Sequence, residues 1–352
     1  MLFSIQPGFA NPFPSWYTFL IQICSEKKKE TGVISLSTTK KRFYHRLWFK
    51  LLLAAVLLIL TALSQLFLQN GLLFQMLANN ERENYAQLQE ELDATHTLPS
   101  DVTEIVEEEY NVYLPDGYAD TTLPIVLNLH GGGLISGNKD FNRYFCAQFA
   151  QKGYIVYSLE YPLLPEVKIY EELQTISDEI HLVADTFTDY HGDPNRVYLT
   201  GDSAGGLLSL YTVALQNSPD MCEAFDVTPC TVPIRKVGLM SGMVYTTRRD
   251  EIGIFVSNQI YGNLYQFKSV HPYTDPDYIA ANITLPPMYL QTSDGDYLKD
   301  YTTDFADALE RNNQTVQLRV FADESLTHAF PAMNPEREET AEVIDDLSQF
   351  FS

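Results

Sequence analysis

The sequence predicts an α/β fold with a central, mainly parallel sheet flanked by helices, preceded by an N-terminal transmembrane or signal helix. From Val102 onward, short β-branched runs alternate with helical patterns, which is the order of elements in a parallel sheet. An apolar run of 22 residues between Leu47 and Leu68 is long enough to cross a bilayer. With 352 residues, 45% of them hydrophobic, the chain has ample material for a large core.

The charge is unevenly distributed along the chain. Residues 1–50 contain eight basic and two acidic side chains, a net charge of +6, whereas the other 302 residues contain 15 basic and 44 acidic groups, a net charge of −29. An acidic body of this kind offers no broad basic surface for phosphates, so we expect no nucleic acid partner. Four cysteines exclude a fold built on disulfides.

The N-terminal region predicts membrane targeting. Residues 1–46 form a basic segment and residues 47–69 an apolar one. The positive-inside bias places the basic segment in the cytoplasm and the remainder of the chain outside it. We therefore expect a membrane-anchored protein with an extracytoplasmic body. A secreted form is the alternative, because Ala62-Leu63-Ser64 resembles a signal-cleavage site.

A helix is predicted from Gln65 to Leu92, since apolar residues recur at helical spacing and Glu and Gln fill the opposite face. Residues 70–100 are therefore expected to be a helical stalk or a cap over the body. The segment TLPSD at 97–101 ends the helix, and the main domain is expected over residues 101–352.

The main domain is predicted to alternate strands and helices. A strand pair is expected over Val102–Leu114, and a helix over 169–187, where apolar residues step by 4, 3, 4, 3 and 4. Further strands are predicted at 125–129, 154–159, 196–200, 236–240, 287–291 and 316–321.

A G-x-S-x-G motif at residues 201–205 lies between the strand VYLT and the helical segment LLSLYTVAL. This spacing is typical of a sharp strand-to-helix turn that exposes a nucleophilic serine, here Ser203, and the flanking glycines remove Cβ atoms that would clash in the turn. The alternative interpretation is an ordinary glycine turn, which the strand–turn–helix context disfavours.

A second motif, His130 followed by three glycines, comes directly after the predicted strand at 125–129. Without side chains, the amides of Gly132 and Gly133 can point into a pocket. Together with the amide of Ala204 they are expected to form an oxyanion hole. A plain flexible loop is the alternative.

These motifs together resemble the hormone-sensitive-lipase-like family of α/β-hydrolases, whose serine esterases combine HGGG with GDSAGG. Residues 201–206 match GDSAGG at all six positions, and YPLLPE at 161–166 keeps the frame of the family's Y-R-L-A-P-E segment but departs at the Arg and Ala positions. The resemblance covers about residues 110–350. It implies an α/β-hydrolase fold with a helical cap, part of which would be an insertion at about 246–285.

A nucleophilic serine needs a histidine base and an orienting acid, in that fold in the chain order Ser, Asp, His. Of the seven histidines, two follow Ser203. His328, in a loop after a predicted strand, is preferred over His271, partly because the resemblance places a Phe shortly after the base. For the acid, the resemblance implies a D-P-L-x-D segment, and Asp296 matches its first Asp, with Tyr in place of Pro. Asp294 is the alternative.

The expected activity is that of a serine carboxylesterase that hydrolyses small to medium esters through a Ser203–His328–Asp296 triad and an acyl-enzyme. An amide or peptide hydrolase with the same triad is one alternative. A non-catalytic ligand-binding module, like the gibberellin receptors of this family, is another, and the presence of His328 argues against it. No cofactor or metal is expected, since no His or Cys cluster has metal-ligand spacing. Pairing of Cys222 with Cys230 in a surface loop, and the oligomeric state, stay open.

Overall fold

The computed structural model describes residues 36–69, 71–248 and 253–352. The chain divides into two compact units, the first ending at Gln65 and the second comprising Leu66–Ser352. Most of the predicted basic segment, residues 1–35, and four residues of the predicted cap insertion, 249–252, lie outside the described residues.

The described part of the N-terminal unit is helical. Helix α1 spans Leu36–Gln69. Within it, Arg46–Ser64 is long and apolar enough to cross a membrane, and none of that stretch is buried against other parts of the protein. A signal sequence near an N-terminus has the same length and composition.

The larger unit is built on one sheet, which has eight strands among the described residues and the spatial order β1-β2-β4-β3-β5-β6-β7-β8. β1 and β2 pair antiparallel with each other, β2 pairs antiparallel with β4, and all other pairs are parallel. The strands are β1 (Val102–Val106), β2 (Tyr110–Pro115), β3 (Leu123–Leu129), β4 (Ile155–Leu159), β5 (Gly192–Asp202), β6 (Ile234–Met240), β7 (Met288–Ser293) and β8 (Val316–Phe321). The predicted mainly parallel α/β fold is confirmed.

Helices cover both faces of the sheet. Along β3, Ile125, Leu127 and Leu129 face one hydrophobic cluster and Val126 faces another, because successive side chains of a strand point to opposite faces. The helices of this unit are α2 (Leu72–Thr95), α3 (Arg143–Ala150), α4 (Ile169–Ala184), α5 (Ala204–Gln216), α6 (Pro219–Phe225), α7 (Gly253–Tyr261), α8 (Pro276–Asn282), α9 (Lys299–Arg311), α10 (Phe330–Met333) and α11 (Glu338–Phe351). Helices α4, α5 and α9 contribute to the first cluster, and α3 and α11 to the second.

The single helix predicted over residues 65–92 is wrong at its start. Helix α1 ends at Gln69 and α2 begins at Leu72, with Gly71 between them in the left-handed conformation at φ 71°. Glycine is the residue that adopts this conformation without steric cost, so the break between the two helices falls at a glycine. The predicted end of the helix agrees with the structure, since His96 is extended.

The two cysteines whose pairing the sequence left open are free thiols and do not lie in an exposed loop. Cys222 belongs to α6 and its Sγ donates to the carbonyl of Leu215 at 3.1 Å, whereas Cys230 is buried and accepts from Gln216 Nε2 at 3.0 Å. Both thiols therefore have internal partners.

Helix α4 packs one apolar stripe on the sheet but also buries a carboxyl group. Glu179 is nearly inaccessible and its Oε2 has no hydrogen-bond partner among the described residues. Burial, together with the negative charges of Glu109 and Glu160, raises the pKa of Glu179 to about 8. The folded chain therefore holds this group protonated at neutral pH, whereas the unfolded chain releases the proton near pH 4.5.

This carboxyl group predicts a pH-dependent stability. Because the folded pKa is raised, the free energy of unfolding falls as the pH rises from about 4.5 to about 8. Glu179→Gln, which mimics the protonated form, should stabilise the chain by about 1 kcal/mol or more at pH 8 and by less at pH 5. Chemical denaturation at both pH values measures the difference. An equal effect at the two values would contradict the prediction.

Candidate active site

The site is centred on a sharp turn between β5 and α5. β5 ends at Asp202 and α5 begins at Ala204, so Ser203 alone makes the turn, with φ 50° and ψ −114°. A residue with a side chain rarely adopts this conformation, and it persists only where the surroundings enforce it. Here the Ser203 N–H donates to the carbonyl of Met240 and the Ser203 carbonyl accepts from the N–H of Met243, both at 2.9 Å. The end of β6 thus holds the strained residue.

Glycine is required at position 205 by close packing. A Cβ atom there would overlap the carbonyl oxygen of Leu129 at the end of β3. Without one, the first turn of α5 approaches the end of the neighbouring strand, and the N-terminal amides of α5 point toward the same edge of the sheet.

Three of the predicted site residues form a continuous hydrogen-bonded chain. Ser203 Oγ lies 2.8 Å from His328 Nε2, and His328 Nδ1 lies 2.8 Å from Asp296 Oδ1. They come from the carboxyl ends of three parallel strands, β5, β8 and β7, which meet at one edge of the sheet. Ser203 and Asp296 are nearly inaccessible, while 16% of the His328 side chain is exposed.

Asp296 is held on both oxygens. Oδ2 accepts from Thr292 Oγ1 at 2.8 Å, and Oδ1 accepts from the N–H of Leu298 at 2.9 Å as well as from His328. Burial by itself would raise the pKa of Asp296, but the hydrogen bond and charge of His328 outweigh it and keep the pKa below its ordinary value. The carboxylate is therefore ionised and accepts only, so His328 Nδ1 carries the proton and Nε2 is free to accept the Ser203 hydroxyl.

The alternative residues lie elsewhere. Asp294 forms an ion pair with Lys299 at 2.8 Å. His271 begins a short 3-10 turn, His271–Thr274, where its ring stands 6.0 Å from that of Tyr265. Neither takes part in the hydrogen-bonded chain.

The loop that bears His328 is fixed by serines at the ends of two strands. Ser293 Oγ donates to the carbonyl of Leu326 at 2.6 Å, and the N–H of Ala329 donates to Ser241 Oγ at 3.1 Å. On the open side the ring of Tyr297 lies 4.4 Å from that of His328, with 68% of Tyr297 exposed. Tyr297 is the residue that stands in place of the Pro implied by the resemblance.

The glycine loop after β3 is tied to the turn at Ser203 by Asp202. Asp202 Oδ1 accepts from the N–H of Gly131 at 3.0 Å and from Asn142 Nδ2 at 2.7 Å. The carboxyl group is fully buried, which raises its pKa, although Asn142 and His130 act in the opposite direction. The sequence analysis missed this contact, because nothing in the spacing of residues 131, 142 and 202 indicates that they meet.

The conformation of the glycine loop frees its amides. Gly132, at φ 117°, accepts from the N–H groups of Ile135 and Ser136 and from Ser136 Oγ, and a Cβ atom on it would overlap the Ser136 carbonyl. Across the described parts of the chain, the N–H groups of Gly132 and Gly133 have no hydrogen-bond acceptor. Two donors at the edge of the site are thus left available for a ligand.

His130 and Tyr161 contact each other at the start of this loop. Their rings stack with centroids 4.1 Å apart, and the Tyr161 hydroxyl donates to the His130 carbonyl at 2.6 Å. His130 Nε2 lies 3.6 Å from Glu160. Tyr161 opens the YPLLPE segment, so that segment contributes to the site through packing and a backbone hydrogen bond.

Helix α2 packs over the glycine loop. Arg82 Nε donates to the carbonyl of Ile135, its NH2 group donates to the carbonyl of Leu164, both at 2.8 Å, and the guanidinium pairs with Glu166 at 2.6 Å. One turn further on, the ring of Tyr85 lies 4.8 Å from that of Phe141. A segment far upstream of both motifs therefore contacts the glycine loop.

No set of three or more His, Cys, Asp or Glu side chains within residues 36–69, 71–248 and 253–352 is arranged to hold a metal ion. The hydrogen bonds among Ser203, His328 and Asp296 support proton transfer between a hydroxyl group and an imidazole oriented by a carboxylate, next to free backbone N–H donors.

The comparison with known families agrees with this fold. Residues 126–332 match the alpha/beta hydrolase fold family, so the chain belongs to that family, and the resemblance to its hormone-sensitive-lipase-like members is confirmed.

Individual relatives have low sequence identity to this chain. An isoprenylcysteine alpha-carbonyl methylesterase of Arabidopsis thaliana is 26% identical over 251 residues, which are 67% of this chain and 57% of that protein. A versiconal hemiacetal acetate esterase of Dothistroma septosporum is 26% identical over 205 residues, which are 54% of this chain and 62% of that protein. The chain thus spans between half and two thirds of the length of these relatives.

Solved structures share the fold. Esterase B from Lactobacillus rhamnosis superposes with a TM-score of 0.73 at 22% identity, covering 80% of this chain and 95% of that one. An esterase of Pyrobaculum calidifontis superposes with a TM-score of 0.61 at 22% identity, covering 78% and 92%.

The role of Asp202 is testable by stability measurements. Asp202→Ala would leave the Gly131 N–H and the Asn142 amide buried without an acceptor, and should lower the free energy of unfolding by about 2 to 4 kcal/mol. Asp202→Asn retains an acceptor oxygen and should cost less. Denaturant titration of the two variants beside the parent chain compares them. Equal losses would contradict a role as hydrogen-bond acceptor.

Proposed function

We propose that the chain is a serine carboxylesterase acting on small to medium carboxylic esters. The observation that carries the proposal is the line of hydrogen bonds from Ser203 Oγ through both nitrogens of His328 to Asp296 Oδ1, each 2.8 Å long. The names of the relatives support it, since those compared above are esterases.

In the proposed reaction, His328 Nε2 takes the proton of Ser203 as Oγ attacks the ester carbonyl carbon. The tetrahedral intermediate collapses, the C–O bond to the alcohol breaks, and His328 returns the proton to the departing alkoxide. Water then attacks the acyl-enzyme and gives one proton to His328 Nε2. The second tetrahedral intermediate collapses, the bond between the acyl carbon and Ser203 Oγ breaks, and His328 returns the proton to Oγ, so that the acid product leaves and the Ser203 hydroxyl is restored. Asp296 keeps the Nδ1 proton in place and stabilises the transient imidazolium.

The amides of Gly132, Gly133 and Ala204 are proposed as the oxyanion hole. Gly132 and Gly133 lie in the loop tied to Asp202, and Ala204 is the first residue of α5, where the helix dipole also favours negative charge. Each donor aimed at the developing oxyanion contributes on the order of 3 kcal/mol in the transition state.

The cap of the enzyme is proposed to comprise α2 and the insertion at about 246–285. Within that insertion, Tyr261 is buried and its hydroxyl bonds to those of Tyr211 and Thr246 at 2.7 and 2.6 Å. The aromatic ring of Tyr297 beside His328 suits an uncharged acyl or alcohol group.

We further propose that residues 47–69 anchor the chain in a membrane, with the basic segment 1–46 in the cytoplasm and the esterase outside it. The exposed apolar surface of Arg46–Ser64 supports insertion in lipid, and the preceding basic residues support the orientation.

The triad is testable with pairs of matched variants on a panel of p-nitrophenyl esters. Asp296→Asn should lower kcat by about 10³ to 10⁴-fold, because an amide no longer holds the required tautomer of His328. Asp294→Asn, two residues away and outside the hydrogen-bonded chain, should change kcat less than threefold. Equal losses, or an unaffected Asp296→Asn, would contradict the assignment.

The proposed nucleophile, Ser203, and the proposed base, His328, are testable by substitution. Ser203→Ala and His328→Ala should each reduce ester turnover to the small residual rate that substrate binding and the oxyanion hole still provide. His271→Ala should keep the turnover of the parent chain. Faster turnover of the matched p-nitroanilides than of the esters would indicate an amide hydrolase instead. Absence of any turnover by the parent chain would indicate a binding module.

The proposed orientation is testable on sealed vesicles. Protease added outside right-side-out vesicles should digest residues 101–352 and leave a protected N-terminal fragment of roughly 70 residues, estimated from the length that a bilayer shields. Full protection of the large domain would place it on the cytoplasmic side and contradict the proposal. Recovery of the domain in the medium, cut after Ser64, would indicate a cleaved signal.

A further inference from the structure

The solvent-facing side of α2 is apolar at its start. Four large hydrophobic side chains in its first two turns are exposed, with Met76 the most accessible at 66%. They are Leu72, Leu73, Met76 and Leu77. The opposite side of the helix buries Phe74, Ala78 and Leu92, so these four are not the core stripe of the helix.

The same side of α2 becomes polar after Leu77. Its later exposed residues are polar, acidic or small: Asn79, Asn80, Glu83, Asn84, Ala86, Gln87, Glu90 and Glu91. The first turn contains no acidic residue. One continuous helix face thus changes from apolar to polar along its axis, whereas an ordinary solvated face would be polar throughout.

A neighbouring loop extends the apolar surface. Leu264 and Phe267 are exposed, Phe267 at 85%, in the loop that follows α7. A Cβ atom placed on Gly71, the residue immediately before α2, would lie 3.7 Å from Gln259 Oε1 of α7. The start of α2 and the end of α7, which leads into this loop, are therefore close together. Two lysines are nearby: Lys168 donates to the Gln259 carbonyl at 3.0 Å, and Lys268 follows Phe267.

We propose that this surface, consisting of Leu72, Leu73, Met76, Leu77, Leu264 and Phe267, docks on a lipid bilayer. Leu72 lies eight positions after Ser64, the end of the candidate span, and eight Cα-to-Cα steps reach at most about 29 Å. The polarity boundary along α2 matches a helix whose first two turns enter the interface while its remainder extends into water. Lys268, which is exposed next to Phe267, suits lipid headgroups.

Docking would bring the active-site opening close to lipid. Arg82, which holds the glycine loop, follows Leu77 by five residues, and Tyr85 by eight, a rise of about 8 to 12 Å along the helix. The substrates favoured by this arrangement are esters with an apolar chain that partition into the bilayer. This inference about substrates rests on the proposed esterase function, whereas the docking itself does not.

Tryptophan quenching in lipid nanodiscs tests the docking on the full chain. The two native tryptophans are replaced by Trp16→Phe and Trp48→Phe, and a single reporter is introduced by Met76→Trp. Gln87→Trp is the matched control, because position 87 is exposed on the same face three turns further on. Emission is compared between discs of phosphatidylcholine and of its brominated form.

Bromine in the acyl chains should reduce the emission of Met76→Trp at least twofold and that of Gln87→Trp by less than a tenth. Equal emission changes at the two positions would overturn the proposal. A blue-shifted Met76→Trp emission that bromine does not quench would also overturn it, since a second copy of the chain would then cover the surface. A chain that fails to co-elute with the discs would overturn the anchor and the docking together.

Activity provides a separate readout. The double variant Leu72→Glu, Met76→Glu should hydrolyse a long-chain ester dispersed in vesicles about tenfold more slowly than the parent chain, with p-nitrophenyl acetate turnover within twofold. An unchanged rate on the dispersed ester would contradict the inference about substrates. If the parent chain does not hydrolyse p-nitrophenyl acetate, the esterase proposal fails, and the quenching experiment still decides the docking.

Discussion

The strained backbone of Ser203 is the constraint on which the arrangement of the site depends. Its φ of 50° and ψ of −114° are maintained from two sides. Met240, the last residue of β6, and Met243, three residues further on, are the hydrogen-bond partners of its N–H and carbonyl, and Gly205 lets α5 approach the end of β3. Both neighbours of β5 in the sheet therefore take part. Such strain costs on the order of 1 to 3 kcal/mol, which a well-packed parallel sheet can offset.

The other site residues are positioned relative to that turn by hydrogen bonds from the strand ends. Asp202 ties the glycine loop to β5, Ser241 and Ser293 hold the loop of His328, and Thr292 orients Asp296. Each bond contributes about 1 kcal/mol to stability, and their shared effect is to hold three side chains from separate strands at hydrogen-bonding distance.

Residues with local sequence signals could be predicted, and those defined by long-range contacts could not. The strands were found because buried parallel strands are short β-branched runs, and the motif around Ser203 marks a local turn. His328 and Asp296 required the family resemblance, since a lone histidine or aspartate has no distinguishing pattern. Asp202 with Asn142, and Arg82 with the Ile135 carbonyl, link residues 53 to 60 positions apart, and one sequence contains no signal of that kind. The break at Gly71 was missed because helical spacing continues through it.

A structure of the chain after reaction with a phosphonate ester tests the proposed nucleophile and oxyanion hole together, because the phosphonyl group imitates the tetrahedral intermediate. We expect one adduct, with phosphorus bonded to Ser203 Oγ and the phosphonyl oxygen about 2.7 to 3.1 Å from the amides of Gly132, Gly133 and Ala204. An adduct on another residue, or a phosphonyl oxygen directed away from these amides, would contradict it.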